Sequence, residues 1–128
     1  MYPEALRLAV VRDCLWSVEF GLEAFAPKFA AAGDVYGTAG CLARFANRLV
    51  LALFALNRVY FVNDKTAIAE IGEFKHVPIF FGDRLQSILS RPGSSPPELS
   101  SAVESMSDLS REVVALSDGL YEARYQMP

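Results

Sequence analysis

At 128 residues, 52% of them hydrophobic, the chain is long enough to fold as one domain around its own core. Twelve basic against fifteen acidic residues give a net charge of −3, which argues against a general nucleic-acid binder while leaving a local basic face open. The two cysteines lack CxxC spacing and read as small buried apolar residues rather than as a disulfide framework.

The spacing predicts a first helix over 3–32. Pro3 and Glu4 suit a first turn, and Leu8, Val11, Leu15, Val18, Leu22, Phe25 and Phe29 recur at steps of three and four. Trp16 and Phe20 widen that stripe, while Glu19 and Glu23 read as facing water. Pro27 should break or kink the helix, with Gly33 as its stop and Asp34 as the next N-cap. Glu4 and Arg7 interrupt the N-terminus before any signal-like apolar run forms.

The second helix, expected over 35–62, is the most apolar element. Leu42, Phe45, Leu49, Leu53, Leu56 and Tyr60 form its inward stripe, and Gly37, Gly40, Ala43 and Ala46 would let another helix approach closely. Its longest uncharged tract, Leu49 to Asn57, falls well short of the ~20 residues of a membrane span. The expectation is a soluble, cytoplasmic chain that does not engage a membrane. Short helices follow at 65–74 and 83–90, separated by a loop whose Ile79-Phe80-Phe81 reads as an apolar plug. After the surface loop RPGSSPP, Ser95, Pro96 and Glu98 announce a capping box and a final helix over 96–120. The fold class is all-α, an antiparallel bundle of three long and two short helices.

Catalytic patterns are sparse. The chain has no Asp-x-Asp pair, no glycine-rich phosphate loop and no G-x-S-x-G elbow. Glu73 and His76 match Glu-x-x-His, but no second copy completes a di-metal set, so a solvated loop edge is the better reading. Two polar features remain. Arg44, Arg48 and Arg58 fall within roughly 80° of one another at 100° per residue, with Asn47 at the edge of the arc. Such a stripe can bind a phosphate or an acidic surface, or it is a solvated face paired with acids of the first and last helices. The segment Asn57 to Lys65, with Arg58, Tyr60, Asn63 and Asp64, gathers amide, phenol and ammonium groups where the central helix ends. It reads either as a ligand rim or as helix caps beside a packed tyrosine.

YPEALRLAVVRDCLW, GDVYGTAGCLARFANRLVLALFALNRVYFVNDK and SPPELSSAVESM, with Ala39-Gly40-Cys41-Leu42 and Asn57-x-x-Tyr60-x-x-Asn63-Asp64-Lys65 as their most specific parts, carry a family resemblance across residues 2–120. The chain resembles the C-terminal helical domain of bacterial nucleotidyltransferase-like proteins. That domain is similar to the C-terminal bundle of aminoglycoside (kanamycin-type) nucleotidyltransferases and to degenerate, non-nuclease HEPN domains. The Arg-x4-6-His motif of HEPN nucleases is missing, since the nearest arginine before His76 is Arg58. The resemblance implies that residues 1–128 are one helical domain without the catalytic half, either the C-terminal half of a larger nucleotidyltransferase-type protein or a stand-alone relative. It also implies a nucleotidyltransferase partner module in cis or in trans that holds Mg2+ and a nucleoside triphosphate. Asn57, Tyr60, Asn63 and Lys65 would then lie at or near the interface; Arg44, Arg48 and Arg58 of the arginine stripe join them as substrate or interface candidates, with no catalytic or metal residue in this chain. The alternatives are a protein-interaction bundle or homodimer without a small ligand, and a self-contained enzyme using the Asn57–Lys65 rim.

Overall fold

The computed structural model describes residues 1–125, so the last three positions of the expected domain lie outside the described residues. They form six helices and no strand: α1 (Glu4–Ala24), α2 (Ala26–Ala31), α3 (Val35–Leu56), α4 (Ala67–Ile71), α5 (Phe81–Ser90) and α6 (Pro96–Leu116). The all-α bundle expected from the periodicity is the fold observed.

The expected first helix is two pieces. Phe25 leaves helical geometry at φ −121° and ψ −53°, and Pro27 falls in the opening turn of α2, where its missing N–H leaves no helical bond unmade. The break turns Phe25 outward, so the apolar stripe is buried from Val11 to Leu22 and then interrupted.

α1 and α3 run antiparallel along their length. Arg7 reaches Leu56, Asp13 reaches Arg48, and Gly21 faces Phe45, so numbering rises on one helix as it falls on the other. A Cβ at Gly21 would collide with the edge of the Phe45 ring, so this glycine sets how closely the two helices meet. α6 packs against both, and Leu15, Val18, Leu42, Leu49, Leu53, Leu99, Met106 and Leu109 all reach 0% exposure in the shared core. By length and composition α3 is the one helix among the described residues able to span a membrane, with mean hydropathy 1.5, yet 61% of that window is buried in the bundle.

α3 ends six residues before the expected Val62. Arg58 adopts a left-handed φ of 58°, its N–H bonding Ala55 O at 3.0 Å while Val59 N–H bonds Phe54 O at 2.9 Å. These are the two bonds of a Schellman cap, with arginine in the place usually held by glycine. Tyr60 therefore leaves the inward stripe and stands 55% exposed in the following segment. α4 is shorter than the 65–74 expected, held at its start by the Thr66 hydroxyl donating to Glu70 at 2.9 Å. The apolar plug is also corrected. Only Phe81 is buried, as the first residue of α5, whereas Ile79 and Phe80 are exposed and Phe80 has a left-handed φ of 53°.

The capping box forms as expected. Glu98 N–H donates to Ser95 Oγ at 3.3 Å, and Ser95 N–H donates to Glu98 Oε1 at 3.1 Å. α6 stops at Leu116 rather than 120 because Asp118 and Gly119 both take positive φ, 49° and 87°, and turn the chain back toward α1.

Candidate functional site

The corner after α3 is built on an amide bridge. Asn57 Nδ2 donates to Leu53 O at 2.8 Å and to His76 O at 2.9 Å, while His76 N–H donates to Asn57 Oδ1 at 2.9 Å. The side chain thus fastens the loop before α5 to the end of the central helix, and every polar atom of the amide is engaged. Below it, Phe54 meets Phe61 and Phe74 edge-on at centroid distances of 5.2 and 4.9 Å, which pins both connecting segments to the core.

Around this bridge the rim residues divide. The Arg58 guanidinium lies 3.5 Å from Glu4. Tyr60 packs on Tyr2 with ring centres 4.8 Å apart and planes tilted by 36°, and its hydroxyl reaches Met1 O at 3.4 Å. Burial, and then the neighbouring Tyr60, raises the Tyr2 phenol above its usual pKa. Asn63 Oδ1 accepts from Lys65 backbone N–H at 2.9 Å, an Asx turn that gives the asparagine a local structural role. Val62, Asn63, Asp64 and Lys65 are all exposed, Val62 at 84%.

The three arginines do not share one face. Arg44 and Arg48 sit one turn apart on α3, but Arg58 lies beyond the helix end. Arg48 pairs with Asp13 at 3.4 Å and Arg58 with Glu4, so two of the three tie α3 to α1. Arg44 is exposed, with one nitrogen 3.4 Å from Cys41 Sγ. Burial pushes both the Cys14 and Cys41 thiols up, outweighing the adjacent Arg48 and Arg44, so both stay protonated as packing groups. Among the described residues no three His, Cys, Asp or Glu side chains gather as a metal set, Glu73 and His76 included.

The feature that the periodicity missed is a C-terminal strap over 117–125 lying across α1. Glu19, expected to face water, is its anchor. Its carboxylate accepts from the Tyr121 hydroxyl, from Arg124 N–H at 3.0 Å and from Tyr125 N–H at 2.6 Å. Arg12 Nε donates to Leu120 O at 3.0 Å, and the Arg124 guanidinium lies 4.0 Å from the centre of the Trp16 ring. The strap borders a groove of about 410 Å3 lined by Arg12, Gly119, Leu120, Tyr121, Glu122 and Arg124. A sequence signal for it was present: Arg12, Trp16, Glu19 and Phe20 share an outward face of α1 that is too aromatic for open solvent.

No family model, curated protein or solved structure matches this chain.

Proposed function

We propose that this chain is a non-catalytic helical domain that docks on a nucleotidyltransferase-type module, in cis or in trans, and forms one wall of its substrate or nucleotide cleft. The observation that carries the reading is the corner after α3. Tyr60, Val62 and Lys65 stand exposed there, on a backbone held in place by the Asn57–His76 bridge and the Schellman cap. A surface that is fixed and open, with apolar, phenolic and ammonium groups together, suits a domain interface beside an anionic substrate. Mg2+ and the nucleoside triphosphate belong to the partner module, because in-line phosphoryl chemistry needs acidic metal ligands on its own scaffold.

A photo-crosslinking amino acid at Val62, introduced in the native cell, tests this. The expected product joins the chain to a protein or domain carrying the Asp-x-Asp nucleotidyltransferase signature. Capture only of proteins without it, or no capture, overturns the reading. So does AMP transfer by the purified chain given Mg2+, ATP and acceptors. One observation favours a homodimer as the second reading. Tyr36, 91% exposed, continues through Gly40, Ala43 and Asn47 as a slim outward stripe on α3. A crosslinker at Tyr36 that captures a second copy, with a matching dimer in sedimentation, would favour it.

A further inference from the structure

Five of the nine arginines have a carboxylate within 4 Å: Arg7, Arg48, Arg58, Arg84 and Arg111. Arg12 and Arg124 have none among the described residues, yet both line the groove beside the strap. Both guanidiniums are held in position. Arg12 is fixed by its Nε bond to Leu120 O, which leaves its two terminal nitrogens unengaged among the described residues. The Arg124 guanidinium lies 4.0 Å from the centre of the Trp16 ring, and Trp16 stands one helical turn from Arg12 on α1. Two guanidiniums on one groove wall, neither in an ion pair among the described residues, leave paired N–H donors open to an anion.

The nearby carboxylates do not pair with these donors among the described residues. Glu19 is occupied by the Tyr121 hydroxyl and two backbone N–H groups of the strap. Glu122 lines the groove but makes no ion pair with either arginine among the described residues. A guanidinium presents paired N–H donors whose spacing matches two oxygens of a phosphate or carboxylate. About 410 Å3 is ample for such a group and the small molecule that bears it.

We propose that the groove between α1 and the C-terminal strap is a binding site for a small oxyanion-bearing molecule, its phosphate or carboxylate clamped between Arg12 and Arg124. The site is distinct from the corner after α3 and does not depend on the partner proposed above. Trp16 is the only tryptophan, and Arg124 rests on it, so an anion that draws on that guanidinium alters the emission of the whole protein at one known place.

The test is titration of the full chain with inorganic phosphate, ATP and citrate, followed by Trp16 fluorescence and by calorimetry. Saturation by phosphate and ATP but not citrate assigns a phosphate site, and the reverse assigns a carboxylate site. Arg12→Gln and Arg124→Gln should each weaken binding by about tenfold or more, the scale of a lost charge-assisted bidentate bond. Arg91→Gln, which removes an arginine lining a different groove, between α5 and α6, should change it by no more than about twofold. Arg124 is exposed, so its variant retains the fold even where the Arg12 variant loosens the strap. Failure of all three probes to saturate the wild type at millimolar concentration overturns the proposal, as does equal weakening in Arg91→Gln.

Discussion

The corner after α3 and the strap across α1 draw on the same residue types and use them in opposite ways. At the corner, Asn57 is fully engaged with Leu53 and His76, and Arg58 is paired with Glu4, so what remains open is mainly Tyr60, Val62 and Lys65. Along the strap, one carboxylate organises the backbone, and the two arginines are left facing a groove. A dense polar sequence is therefore a poor guide to a ligand site. What matters is which groups remain once the fold has satisfied itself: by that measure the corner leaves an apolar, a phenolic and an ammonium group open, and the strap leaves two guanidiniums open.

The comparison breaks most severely if the corner loses its floor. Phe54 is fully buried and touches both Phe61 and Phe74. Phe54→Ala should cost about 3–5 kcal/mol by urea denaturation, from lost burial plus a cavity that a helix end wedged between two loops closes poorly. Hydrogen exchange should rise in both connecting segments and stay unchanged at Tyr125. A protein that loses protection equally at the strap would show that the two regions are one cooperative unit.

A smaller change sharpens it. Asn57→Ala removes the bridge to His76 without opening a cavity, and His76 is exposed, so water replaces part of what is lost. The expected cost is about 1–2 kcal/mol, read as a lower urea midpoint with an unchanged slope. The His76 amide should exchange faster. An unchanged His76 amide would mean that Phe74 and Pro78 alone hold the loop.

How much of this was legible follows from range. The α1 stripe from Val11 to Leu22, the break at Phe25 just ahead of Pro27 and the Ser95–Glu98 capping box are decided within a few residues, so spacing and residue type predict them to within a residue or two. The end of α3 is not local. Val59 to Val62 continue the apolar run, and nothing nearby says that Asn57 will be drawn to His76, nineteen residues on. Without that stop, Arg58 projects onto the stripe of Arg44 and Arg48, and Tyr60 projects into the core. Glu19 is the same case at longer reach, since its partner Tyr121 lies 102 residues away and a carboxylate on a helix face otherwise reads as solvated. The exposed Ile79 and Phe80 escaped for a different reason: apolar residues in a loop read as buried until the left-handed turn at Phe80 aims them outward.

The finest test concerns the strap and runs through pH. Buried Tyr121 donates to Glu19, and burial first, then that carboxylate, raises its phenol well above the usual value. In an unfolded chain the phenol ionises near pH 10. A group whose pKa is raised by folding stabilises the fold fully below the unfolded value, and that contribution is lost as pH rises through the folded one. The strap should therefore stay docked at neutral pH and release in the alkaline range above about pH 10. Tyr121→Phe should lower stability by about 1 kcal/mol at pH 7, because the backbone bonds of Glu19 to residues 124 and 125 persist. The variant should also lose the alkaline component, so the difference between it and the wild type shrinks as pH climbs. Trp16 emission reports both changes, since Arg124 leaves the ring when the strap does. A difference that stays constant above pH 10 would mean that the tyrosine contributes its ring packing and not its hydroxyl. The strap would then be held by Arg12 and the two backbone N–H groups, with the groove beside it resting on those contacts alone.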